Sequence, residues 1–136
     1  MNGSHNLSAL FGRILLSLIF VLSGFQKITQ FAGTAGYMEH MGVPMAYPAL
    51  VLTIMVEFGC GMMVLLGFKT RLAAGIIFLW FIPVTIIFHV NQWRQGQDAM
   101  INMIMYMKNL SIMGGLLLLA SYGPGAFSID GDGRAA

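Results

Sequence analysis

One carboxylate inside an apolar run constrains this chain more than any other feature. From Ala46 to Phe68 the sequence is apolar almost throughout. Its core reads Leu50-Val-Leu-Thr-Ile-Met-Val-Glu-Phe-Gly-Cys-Gly-Met-Met-Val-Leu-Leu66, with Glu57 as the charged exception. About 20 apolar residues cross the hydrocarbon core of a bilayer. A carboxylate that faced lipid at mid-depth would cost a few kcal/mol, roughly 3 on insertion scales. Glu57 is therefore expected to face other helices or water, and the rest of the chain must supply its partners.

Composition agrees with a membrane setting. Of 136 residues, 57% are hydrophobic and 9% charged, whereas soluble domains carry about 25% charged residues. A soluble core of this size cannot hide so much apolar surface, but lipid accepts it. One integral membrane domain over residues 1–136 is expected, with lipid as its first partner. The net charge of +2, without a basic run, excludes a nucleic-acid-binding role. The single cysteine, Cys60, excludes an internal disulfide framework and a CxxC pair, and reads as a small packing residue.

Hydropathy and turn signals divide the chain into helices over about 9–28, 46–68, 71–90 and 101–122, an all-α, integral membrane four-helix bundle. Met1 to Ser8 reads as a frayed end. The following run lacks a basic n-region and a small-x-small cleavage site, so it is taken as a retained span. On the first helix Arg13, Ser17, Phe20, Gly24 and Lys27 share one face. Arg13 is expected to snorkel to the headgroups, while Lys27 either snorkels or joins a polar turn with Ser23 and Gln26. Thr29 to Met45 reads as an interfacial loop, broken by glycines, with one helical turn near Ala35–Met41 and a solvated Glu39 and His40. Tyr37 and Tyr47 suit the membrane interface.

Helix two places Thr53, Glu57, Cys60, Gly61 and Val64 on one face, with Gly59 and Gly61 admitting a close neighbour. A tight basic turn, Gly67 to Arg71, makes helices two and three antiparallel neighbours. The marked face of helix three is Gly75, Phe78, Ile82, Thr85 and His89, and Pro83 is expected to kink it. Asn91 to Ala99 carries the interfacial pair Trp93 and Arg94. On helix four the marked face is Ile104, Lys108, Ser111, Gly115 and Leu118. Gly123-Pro-Gly ends that helix, and Ile129 to Ala136 reads as a polar, mobile tail.

With four spans both termini share one side, together with Arg13, Lys69, Arg71 and Arg134, against Lys27, Arg94 and Lys108 opposite. The positive-inside rule then puts the termini in the cytoplasm. The same topology brings Lys27, Glu57, His89 and Lys108 to one half of the bundle, as a compensated polar cluster in which Glu57 pairs with a lysine. Within it His89, Lys27 and Glu57 are the candidate ligand-binding residues, and no catalytic residue is assigned. The groups Met38, Met41, Met45 and Met100, Met103, Met107 have spacings that thioether ligands for Cu(I) would use. Ordinary packing explains the methionines better. No HExxH, P-loop or GxGxxG is present, and no metal is assigned.

Several of these stretches together resemble the DoxX family. They are Arg13 through Lys27, the run from Glu57-Phe-Gly-Cys-Gly to Gly67, Arg71-Leu-Ala-Ala, His89, and Gly123-Pro-Gly-Ala-Phe-Ser-Ile-Asp130. The resemblance extends from about Leu10 to Asp130. It implies a small four-helix protein of the bacterial inner membrane, related to the DoxD subunit of thiosulfate:quinone oxidoreductase and to membrane components of thiol and oxidative-stress chemistry. By that likeness the chain is expected to be a subunit or anchor of a redox-associated, quinone-linked membrane complex, with protein partners there and quinone as the implied cofactor. The residues themselves leave two alternatives open: a small-solute transporter or channel, and a non-catalytic assembly protein whose charges fix helix register.

Overall fold

Lipid offers no partners to peptide groups, so each long apolar run closes its own backbone hydrogen bonds as a helix. In the computed structural model this gives α1 (Gly3–Thr29), α2 (Phe31–His40), α3 (Ala46–Leu66), α4 (Thr70–Val90) and α5 (Ala99–Tyr122). The structure describes residues 3–94, 96 and 98–131, without the side chains of Trp93 and Arg94. The interfacial role expected of that pair, and the charge of Arg134, lie outside the described residues. Helices α1, α3, α4 and α5 are long and apolar enough to cross a membrane. The fold is an all-α, four-helix membrane bundle.

Two helices are longer than expected. Residues 3–8 are the first turns of α1 and not a frayed end. Helix α2 spans ten residues and runs through Gly33 and Gly36. Each glycine costs a helix about 1 kcal/mol relative to alanine. Burial offsets that cost: Ala35 and Met38 pack against Ala46 and Leu50 of α3 in a small second core. Glu39 and His40 remain exposed.

The expected faces of the first two spans are the buried ones. Arg13, Ser17, Phe20 and Gly24 are buried on α1, and Thr53, Glu57, Cys60, Gly61 and Val64 on α3. These helices cross at two glycines. A Cβ on Gly24 would lie 2.7 Å from the backbone nitrogen of Phe58, and one on Gly61 would lie 2.9 Å from Cβ of Phe20. Gly59, expected to share this role, has nothing within 4 Å of a Cβ. Beyond the crossing, Phe20 meets Phe81 edge-on at 5.2 Å, in a core with Cys60, Val64, Ile77 and Leu116.

The faces of α4 and α5 are rotated from expectation. Helix α4 buries Thr70, Ala73, Ala74, Ile77, Phe81 and Thr85, leaving Ile82 exposed. Helix α5 buries Asn109 and Leu116, while Ile104, Lys108, Ser111 and Leu118 are exposed. The physical reason is lipid: it accepts apolar side chains all round a span, so hydrophobic periodicity does not mark the inner face.

At the end shared by the termini, Arg13 does not snorkel. It is 3% exposed and donates to the carbonyls of Pro124 (2.7 Å) and Phe127 (2.8 Å). Those carbonyls follow the end of α5 and have no helical partner, so an internal cation satisfies them. From Pro124 to Gly131 the segment is consequently a strap and not a tail, and the rest of the expected tail, 132–136, lies outside the described residues. Ile129 N donates to Leu66 O, and Asp130 N to Gly67 O. Carboxylate oxygens of Asp130 accept from Lys69 N, Thr70 N and Thr70 Oγ1, each at 2.8 Å, capping α4. Burial opposes the charged form of Asp130, but donation from Thr70 and Lys69 and the charge of Arg13 outweigh it and hold the carboxyl below its ordinary range.

Candidate functional site: a polar cavity at the far end of the bundle

Away from the strap, α1, α2, α3, α4 and α5 surround a cavity of about 260 Å³. Lys27, Glu57, His89 and Lys108 all line it. The walls between these groups are largely apolar: Ile19, Phe20, Phe81, Val84 and Phe88.

The ion pair is Lys27–Glu57, with Nζ 2.9 Å from Oε2. Lys27 also donates to Ser23 Oγ at 2.7 Å, one helical turn back. Glu57 is the more enclosed partner, with 8% of its side chain exposed against 24% for Lys27. Local backbone geometry sets its position. Residues Met55–Cys60 form a π-helical turn within α3. Such a turn shifts the register of side chains and is frequent at functional sites.

A second π-turn, Ile86–Val90, carries His89. It follows Pro83, whose missing N–H takes one donor out of the α ladder. Helix α4 therefore continues through the proline and changes pitch three residues later. His89 Nδ1 lies 3.4 Å from Asn102 Oδ1 on α5, which orients the ring.

Lys108 does not pair with Glu57. Its ammonium donates to Met105 Sδ at 3.4 Å, and it has no carboxylate partner among the described residues. It stands at the exposed edge of the cavity. With one carboxylate and two lysines, the cavity carries an excess of positive charge. Among the described residues no three of His, Cys, Asp and Glu are grouped to hold a metal ion.

Sequence reasoning missed Asn109. It is 5% exposed, lines the cavity, and donates from Nδ2 to Thr85 Oγ1 at 3.0 Å. The signal was present: an amide beside a lysine within a membrane span needs a buried partner. Helix α2 was also underrated. Thr34, Tyr37 and Met38 close the cavity from that side, and Tyr37 stacks on Phe88 with centroids 5.9 Å apart.

The arrangement provides apolar ring-sized walls, an amide, an imidazole and an ammonium within one hollow, with a fixed ion pair beside them. Such a site suits a small ring bearing hydrogen-bond acceptors.

The sequence pattern of the DoxX family matches residues 8–90. The chain is 44% identical over 130 residues to the inner membrane protein YqjF of Escherichia coli, covering 96% of this chain and 95% of that protein. Its identity to the inner membrane protein YphA of the same organism is 39% over 122 residues, covering 89% and 86%. The membrane protein Rv3486 of Mycobacterium tuberculosis is 30% identical over 124 residues, covering 87% and 76%. No solved structure matches.

Proposed function

Because the chain belongs to the DoxX family, we propose that it serves as a subunit or anchor of a redox-associated membrane complex and that its polar cavity receives a quinone head group. The bacterial inner membrane is its place, by likeness to two relatives named as inner membrane proteins. The basic turn at Lys69 and Arg71 favours cytoplasmic termini.

One observation carries the ligand reading: His89, Lys108 and Asn109 face the same hollow as the aromatic rings of Phe20, Phe81 and Phe88. A quinone ring needs an apolar slot and one or two donors for its carbonyl oxygens. The imidazole, the ammonium and the amide have that chemistry. Lys27 and Glu57 hold each other in register, and Glu57 is the group suited to accept or release a proton when a bound ring changes its protonation. Electrons would come from a partner protein, since the one cysteine leaves no dithiol in this chain.

The test is titration of a soluble benzoquinone into the purified protein in detergent, followed by calorimetry. Saturable binding is expected, weakened about tenfold or more by His89→Ala. Absence of saturable binding to the parent protein would overturn the reading. Solute flux in proteoliposomes, with no quinone binding, would put transport in its place.

A further inference from the structure

Two further hollows of opposite character share lining residues with the cavity. Toward α2 it borders a hollow of about 350 Å³ lined by Gln26, Gln30, Thr34 and Tyr37, and Lys27, Thr34 and Tyr37 belong to both. Toward lipid it borders a longer groove of about 760 Å³ in the seam between α1 and α5. Ile19 and Lys108 line both that groove and the cavity. The seam is open because Gly12 and Gly115 offer no side chains to fill it, and Leu16, Ile112 and Leu119 form its apolar walls.

Its length is informative. From Ile19 back to Ala9 the groove follows α1 for roughly 15 Å at ~1.5 Å per residue. That is about half the ~30 Å hydrocarbon thickness. An occupant therefore meets a polar vestibule at one end, donors and an ion pair in the middle, and at the other a largely apolar channel one leaflet deep that ends beside Arg13 and Tyr122. Water-soluble solutes have no use for the third part. A lipid-dissolved molecule with a compact ring head and a single long apolar tail uses all three.

We propose that the α1–α5 seam is the lipid-side entrance to the cavity and the seat of its ligand's tail, so that the ligand is a single-tailed amphiphile drawn from the bilayer. The inference rests on the head-group reading above and adds the tail and the route. Lys108 stands where the two hollows meet. Its ammonium, bonded only to a thioether among the described residues, retains donors for the head as it passes.

Two probes separate the parts: a tailless dimethoxy-methyl-benzoquinone and the same ring bearing a decyl chain. Filling the groove uses Gly12→Leu and Gly115→Leu. A Cβ at Gly12 has nothing within 4 Å, and one at Gly115 meets only Leu16, at 3.5 Å, so neither change disturbs the fold at its first atom. In the parent protein the decyl probe should bind at least tenfold tighter than the bare ring. In the filled variants that preference should collapse, with bare-ring affinity unchanged and thermal stability retained. Equal affinities in the parent, or an undiminished preference in both variants, would overturn the seam proposal while leaving the head site standing. If neither probe binds the parent, the head-group reading fails and the seam proposal with it.

Discussion

Separating Lys27 from Glu57 tests the organisation of the bundle most directly. The pair is close, at 2.9 Å, and its acidic member is nearly enclosed. At an effective dielectric of ~20, charges about 4 Å apart attract by ~4 kcal/mol, and desolvation takes back part of that. The two single changes should then differ. Glu57→Gln keeps an amide oxygen to accept from Lys27 and loses only the charge, about 1.5 kcal/mol. Lys27→Met leaves a carboxylate with 8% side-chain exposure beside an apolar side chain, at ~3 kcal/mol, the lower end for a broken buried pair.

The double variant removes both charges and should resemble Glu57→Gln alone, near 1.5 kcal/mol. The coupling energy is then ~3 kcal/mol, the upper end for residues in contact. At about 4 °C per kcal/mol, Tm should fall by roughly 12 °C for Lys27→Met and roughly 6 °C for both Glu57→Gln and the double. Thermal unfolding in detergent reads all three. Lys108→Met and Glu57→Gln should instead be additive when combined, because Lys108 bonds to Met105 and not to Glu57. Strictly additive losses in Lys27→Met/Glu57→Gln would refute the pairing as an energetic unit.

Gly24→Ala should destabilise the bundle by about 1–3 kcal/mol through overpacking against the backbone of Phe58, while Gly59→Ala should hold or slightly raise Tm. Asp130→Asn should cost ~1 kcal/mol, because the amide nitrogen cannot accept where one of the two carboxylate oxygens does. The folded carboxyl of Asp130 lies below its ordinary value, so its stabilisation is present above about pH 4 and lost as pH falls through the folded value. The Tm difference between the parent and Asp130→Asn should therefore narrow in acid.

Span number and the inner faces of α1 and α3 were legible because polar residues interrupt those apolar runs. Arg13, Ser17 and Lys27 on α1, and Thr53 and Glu57 on α3, mark a side that lipid would reject. Helices α4 and α5 are apolar nearly all round, so their rotation depended on packing that sequence does not encode locally. Thr85 and Asn109 settle it by bonding to each other across the bundle. Neither residue announces its partner, since the two lie 24 positions apart. Cavity and groove were illegible for a related reason: a void is defined by what five helices leave unfilled, and no single stretch carries that information.

The two inward cations of α1 show how one sequence signal supports two physical roles. Arg13 and Lys27 lie on the same helical face, near opposite ends, and both were candidates for snorkelling. Arg13 became a structural hub because the chain after Gly123 leaves the helix while still enclosed, and its carbonyls require donors. A guanidinium, with donors fanned across a plane, can serve several carbonyls at once. Lys27 met a carboxylate and a hydroxyl instead, and a point charge suffices there. The difference extends to function. Every strong contact of Arg13 is spent on backbone, which closes that end of the bundle. The Lys27 end keeps an incompletely neutralised cavity, and that imbalance is what a ligand with electron-rich oxygens would satisfy.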